Sequence, residues 1–184
     1  MQKSNLIPFV SKNLHILFVG LNPAKGSSEN HHYFSVNQAF WSQLYNAGLI
    51  TEIVDKSNAD EKVFGTNKIN FNRWSYGITD LVIEIADSNS RNIESKESDC
   101  RRLVNVITEY SPKVAILMHK KVTRAFLTYL GEPVVAANHG QIGKIVDGCP
   151  TMFYSIGFPH GNNISSRDKV EKYIEVKNYL LMLE

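Results

Sequence analysis

Leu14-His15-Ile16-Leu17-Phe18-Val19-Gly20-Leu21-Asn22-Pro23, continuing through Ala24-Lys25-Gly26-Ser27-Ser28 to Trp41, sets the frame for the whole chain. Ile16 to Val19 is an apolar run with the length and β-branched or aromatic content of a strand covered on both faces. Gly20 ends the run, and Leu21-Asn22-Pro23 with the small residues after it is turn chemistry. The chain therefore leaves the carboxyl end of a buried strand, predicted over Leu14 to Leu21, with Asn22 on a constrained loop. In open α/β sheets that is where ligands bind.

Working outward, His31-His32-Tyr33-Phe34 is a polar-aromatic cluster, and Phe40, Trp41, Leu44 and Tyr45 recur at helical spacing before Gly48, which predicts a helix over 37–48. Residues 1–13 read as a lead-in, and the polar stretch 51–73 gives no clear element beyond a loop with a short helix. Tyr76 to Val82 reads as a short strand or turn at the sheet end, and 88–94 as a polar loop. A helix over 95–110 is stopped by Ser111-Pro112. Val114 to Met118 is a second buried strand with His119 at its carboxyl end, followed by a helix to Leu130 and a stop at Gly131. Val134 to Ala137 and Lys144 to Val146 are predicted as short strands about the turn Asn138-His139-Gly140, and Thr151 to Ile156 as the last long strand. A closing helix over 166–183 takes Ser165 or Ser166 as its N-cap. Strands and helices alternate, which predicts an α/β fold, a three-layer α/β/α sandwich with a mostly parallel central sheet, in one domain over residues 1–184.

The chain has 184 residues, 43% apolar and 21% charged, enough for a full core. Its longest apolar runs are far short of a membrane span and the amino terminus lacks an apolar signal core, so a cytoplasmic, nucleoid-associated protein is expected. Cys100 and Cys149 lack Cys-x-x-Cys spacing, which argues against an iron–sulfur cluster or structural zinc. Adjacent His31 and His32 have no acidic third ligand spaced for them, so neither metal nor cofactor is expected. The net charge of +2 permits nucleic-acid binding without arguing for it.

Gly20-Leu21-Asn22-Pro23, then His31-His32-Tyr33, then Phe40-Trp41 opening a helix that ends Ala47-Gly48-Leu49, resembles the thymine-DNA glycosylase and mismatch-specific branch of the uracil-DNA glycosylase superfamily. Gly77-Ile78-Thr79-Asp80-Leu81-Val82 and the tail from Asp168 to Leu180 resemble the same branch. The superfamily's second motif falls on Gly157-Phe158-Pro159-His160-Gly161-Asn162-Asn163-Ile164-Ser165, a loop that departs from the pattern of every branch. One register puts His160 beside the scissile bond and Ile164 at the wedge position; anchoring on Pro159 moves it by about a residue, and both registers stay open here.

The resemblance implies a monofunctional DNA glycosylase that hydrolyses the N-glycosidic bond of uracil, or of thymine or another damaged base, in mismatched duplex DNA, as a monomer. It implies Asn22 and His160 as catalytic residues and Gly20, Leu21, His32, Tyr33 and His119 around the base, with Tyr33 stacking on it. Lys25, Asn163, Ile164, Ser165 and Arg167 would meet DNA, and Lys169 is a further cation beside the second loop. An amide at position 22 orients water but is no general base at neutral pH. No lysine needs to form a Schiff base, so hydrolysis without strand cleavage is expected. Asp80 is a carboxylate near a strand end, with water activation or a capping or salt-bridged role open to it. Ala24 and Gln38, where the family more often has Gly and Asn, favour a rival: a non-catalytic nucleic-acid or nucleotide-binding module on the same scaffold.

Overall fold

The computed structural model describes residues 2–184. In chain order it contains β1 (Gln2–Lys3), β2 (Ile16–Gly20), α1 (Lys25–Asn30), α2 (Ala39–Asn46), β3 (Tyr76–Asp80), β4 (Ile85–Ala86), α3 (Glu97–Tyr110), β5 (Val114–Leu117), α4 (Lys120–Leu130), β6 (Gly140–Gly143), β7 (Met152–Ser155) and α5 (Ser166–Leu181). The central sheet runs β3-β2-β5-β7-β6, with β6 alone antiparallel, and β1 pairs with β4 in a separate two-stranded ribbon. Every residue of β2, β3 and β5 is buried, because helices cover both faces of the sheet.

Alternation along β2 divides the core in two. Ile16 and Phe18 pack with Phe40, Trp41 and Leu44 of α2 and Tyr173, Val176 and Leu180 of α5. Leu17 and Val19 face the opposite side, with Leu103 and Ile107 of α3 and Val122 and Phe126 of α4. These are the three expected layers. From β2 the chain goes first to β3 on one side and then, through α3, to β5 on the other, so the order of strands reverses at the β2–β5 boundary. A crevice at the carboxyl ends of such a pair is the usual ligand site of an open α/β sheet.

Two local expectations change and two open ones are settled. Val134 to Ala137 and Lys144 to Val146 are not strands; the edge strand is Gly140–Gly143 between them, where Gly140 (φ 88) and Gly143 (φ 134) take backbone that other residues avoid. The small-residue segment after Pro23 is not only turn but the short helix α1, closed by His31 in the left-handed conformation (φ 60). The unassigned 51–73 stretch holds one π-helical turn, Glu61–Gly65, and one 3-10 turn, Phe71–Arg73. Ser165, rather than Ser166, caps α5, its hydroxyl accepting from Asp168 N–H at 3.0 Å. Among the described residues no helix is long and apolar enough to cross a membrane.

Candidate active site

A cleft of about 730 Å³ lies over the carboxyl ends of β2, β3, β5 and β7, and Asn22, Tyr33, Asp80, His119, Phe158 and His160 all line it. Asn22 arrives from β2 with its amide locked. Its Nδ2 donates to the carbonyls of Pro23 (2.9 Å), Asp87 (2.9 Å) and Ile85 (3.3 Å), which fixes the flip of the side chain. Oδ1 is left with no partner among the described residues and is free to accept from water. The Ile85–Asp87 segment is itself tied down by Asp87 N–H donating to Pro23 O and Val82 N–H to Leu21 O.

Asp80 ends β3 directly beside Gly20 of β2, its register partner. Its side chain is buried, and Oδ2 meets no hydrogen-bond donor. The nearby Arg102 of α3 spends its Nη2 on the backbone carbonyls of Asp80 and Leu81 instead of on the carboxylate. Burial pushes the carboxyl up to about 7 against the opposing pull of Arg102. Gly20 is required for this arrangement, because a Cβ there would collide with Asp80 Oδ1. Gly20→Ala is therefore expected to displace either Asp80 or the Asn22 loop and to cost about 1–3 kcal/mol, the usual range for overpacking a core; chemical denaturation reads it, and unchanged stability would contradict the close approach.

The aromatic wall comes from the segment after α1. Asp60, fully buried, accepts from Tyr33 N–H (2.7 Å), from Glu61 N–H (2.9 Å) and from His32 Nδ1 (2.9 Å). The polar stretch that reads as featureless thus supplies the staple that holds Tyr33 at the cleft. His32, expected at the base, is not part of the lining, because its ring is drawn to Asp60. Phe34 is the aromatic that sequence reasoning passed over. It has φ 52, strained for a residue with a Cβ, and stacks on Phe40 at 4.2 Å between centroids. The Tyr33 phenol is held strongly protonated by burial and then by the Asp80 charge.

His119 caps α4. Its Nδ1 accepts from Lys121 N–H at 3.1 Å, and a backbone N–H can only donate, so in the neutral ring the proton sits on Nε2. Burial first, then Lys120 and Lys121, lower its pKa to about 4. The imidazole is neutral across the physiological range. Nε2 has no partner among the described residues, and the ring meets Phe158 edge to face at 5.9 Å.

The second loop follows β7. Gln43 Nε2 (3.0 Å) and the buried Lys169 Nζ (3.4 Å) both donate to Pro159 O, and Asn162 Nδ2 donates to Phe158 O (2.7 Å) and His160 O (3.1 Å). His160 is exposed at the rim and packs on Phe158 at 5.1 Å; its pKa is lowered by burial of its inner face and by Lys169. Ile164 lines the cleft and lies close enough to Gly157 that a Cβ there would press on its Cδ1 at 2.9 Å. The two loops therefore share one cavity.

Gly20 and Leu21 also line the cleft. Of the residues expected at DNA, Lys25, Asn163, Ser165 and Arg167 are exposed outside the lining, Ser165 is engaged as the α5 cap, and Arg167 pairs with Glu171 at 3.1 Å. Arg91 and Lys120, which sequence reasoning did not single out, stand exposed at the rim. Among the described residues no cluster of three or more His, Cys, Asp or Glu could hold a metal ion.

A family model described as the Uracil DNA glycosylase superfamily matches residues 7–180. The chain belongs to the uracil-DNA glycosylase superfamily. No curated protein matches it. The superfamily's members are DNA glycosylases, hydrolases that act on DNA, and in this member the switch-point crevice holds an oriented amide, a neutral imidazole and a buried carboxyl.

Proposed function

We propose that this chain is a monofunctional DNA glycosylase of the thymine-DNA and mismatch-specific branch, hydrolysing the N-glycosidic bond of uracil in mismatched duplex DNA. The observation that carries the reading is Asn22: three carbonyls hold its Nδ2, so Oδ1 is presented to a cleft that the second loop also lines.

The base must first leave the duplex, which costs a few kcal/mol and less at a mismatch, so G·U and G·T pairs are favoured over well-paired bases. Phe34, Phe158 and Tyr33 offer it aromatic surface, a contribution of about 1–3 kcal/mol per stacked base. Ile164 fills the vacated space as an apolar wedge, while Lys25, Arg91 and Lys120 meet phosphates. Asn22 Oδ1 accepts a hydrogen bond from water and aims its lone pair at the sugar carbon. The C–N bond breaks as the sugar takes on oxocarbenium character; the water oxygen adds to that carbon and its proton is released, and the base departs as an anion.

That anion needs a donor. His119 Nε2–H suits the task, since a neutral imidazole at a helix N-terminus donates without carrying a charge of its own. His160, beside it across Phe158, is the alternative expected from the sequence. His119→Ser keeps a capping oxygen and removes the donor, so excision is expected to fall about a hundredfold with the fold intact. Rates for the serine variant within a few-fold of the parent would shift the role to His160. Lys169 is buried under the second loop outside the lining, and of the two lysines that line the cleft Lys121 donates its Nζ to the carbonyls of Ser90 and Ile93 while Lys120 is exposed at the rim, which favours hydrolysis over Schiff-base chemistry.

The test is a duplex carrying G·U, G·T or inosine, incubated with the protein and then treated with alkali. Breaks that appear only after alkali support hydrolysis, breaks before it indicate lyase chemistry, and binding without breaks supports a non-catalytic module.

A further inference from the structure

The ribbon of β1 and β4 stands apart from the central sheet, and the proposed chemistry makes no use of β1. β4 is only Ile85–Ala86, and among the described residues its strand partner is β1, with Gln2 opposite Ala86 and Lys3 opposite Ile85. The register continues to Ser4, whose N–H donates to Glu84 O at 2.9 Å. Carbonyls along a strand point alternately to its two edges. Glu84 therefore turns its carbonyl to the N-terminal segment, whereas Ile85 and Asp87 turn theirs the other way, to Asn22 Nδ2. One short strand separates the N-terminal segment from the amide that orients water.

The same segment is anchored at a second point. Asn5 N–H donates at 2.9 Å to Oγ of Ser28, a fully buried residue of α1, and Leu6 beyond it lines the cleft. Residues 2–6 thus run from the outer edge of β4 to α1, the helix that follows the Asn22 loop. Gln2 and Lys3 are exposed, so β1 adds backbone pairing and no core. A two-stranded pairing this short contributes little stability of its own.

We propose that residues 2–6 brace the catalytic loop: they hold the Ile85 and Asp87 carbonyls in register with the Asn22 amide, and so set the hydrolytic rate without touching substrate. The inference rests on the role given to Asn22 above, although the grip on the amide does not require that a base be cleaved. Ser4, acting through its backbone N–H, is a positioning residue. Once the outer edge of β4 is released the two carbonyls drift, and a misplacement of about 1 Å in a catalytic group is enough to cost about a hundredfold. Asp87 N–H still holds Pro23 O in that event, so a partial loss is expected.

Ser4→Pro removes the N–H and suits an extended edge position. Ser4→Ala keeps the N–H and loses only the hydroxyl that accepts from Leu6 N–H, and Ser28→Ala frees the second anchor. Single-turnover excision from a G·U duplex is expected to fall about tenfold in Ser4→Pro and about threefold in Ser28→Ala, with Ser4→Ala near the parent. Affinity for a cleavage-resistant 2′-fluoro-2′-deoxyuridine duplex should change less than about twofold in all three. In an Asn22→Ala background Ser4→Pro should cost nothing further, because its effect passes through the missing amide. NMR follows the Asn22 side-chain NH2 protons directly, assigned by their absence from Asn22→Ala. Their exchange with solvent should be about tenfold faster in Ser4→Pro than in the parent. A ribbon that merely covered the edge of β4 would leave them unchanged. Should Ser4→Pro fail to fold, Ser28→Ala carries both measurements.

Unaltered exchange in a folded variant overturns the proposal whatever happens to excision. So does a loosened amide with a parental rate, or a loss that is as large in the Asn22→Ala background as in the parent. The glycosylase reading fails separately: a parent that binds the duplex and never cleaves it sinks the enzyme, while faster exchange in Ser4→Pro would still support the brace on Asn22.

Discussion

Asn22→Asp is expected to lose excision activity rather than gain it, by about a hundredfold or more, and to be less stable than Asn22→Ala. By chemistry alone, a carboxylate is the better base and should quicken the attack of water. The surroundings of position 22 reverse that expectation. Three carbonyl oxygens, of Pro23, Ile85 and Asp87, stand within 3.3 Å of Nδ2; all three are acceptors, and Pro23 O also takes the Asp87 N–H. A carboxylate oxygen placed there would face three acceptors. It would either stay protonated, and so be no base, or swing away and release the loop that aims it. Asn22→Ala also loses the water contact but adds no repulsion, and leaves carbonyls short of a donor at about 1–3 kcal/mol. Single-turnover excision of a G·U duplex, with thermal denaturation of all three proteins, decides the matter. An aspartate variant faster than the parent would show that the carbonyl cage is not rigid and that the amide is not chosen by its surroundings.

Asp80→Asn should stabilise the folded protein at alkaline pH by up to about 4 kcal/mol, roughly 10 °C in melting temperature for a chain of this size. The carboxyl rises from 3.8 to about 7 on folding, so between these values the native state binds the proton and the unfolded chain does not. Stability contributed by Asp80 is complete below the lower value and is lost as pH climbs through the upper one. Asparagine does not titrate, and the gap between variant and parent should open across that interval and level off above about pH 7. Denaturation midpoints at a series of pH values test this, and a constant gap would mean that the carboxyl is charged in the folded state. A residue that lowers stability where the protein works is better explained by its site than by its packing.

The legible part of the molecule is local. Ile16 to Val19 declares a covered strand by its apolar run, Gly20 to Pro23 declares the loop after it, and the caps at Ser165 and Gly131 mark helix ends, because each depends on neighbours a few residues away. The family likeness rests on equally short pieces, Gly20 to Pro23, His31 to Tyr33, Phe40-Trp41 and Ala47 to Leu49. The 134–146 region misled because its apolar residues suggest strands, whereas pairing with β7 and the positive-φ glycines place the strand at Gly140–Gly143.

By itself, then, the sequence determined the alternation of strands and helices, the place of Asn22 at a strand end and the aromatic segment near it. Only the tertiary structure decided what those groups can do. The carbonyl of Asp87 that orients Asn22 lies 65 residues along the chain, and the Asp60 carboxylate that holds Tyr33 lies 27 residues along. The tautomer of His119 and the protonation of Asp80 are set by partners and by exclusion of water, and neither exists until the layers close. Local preference selects backbone shape; charge state and direction follow from desolvation, which is a property of the assembled core.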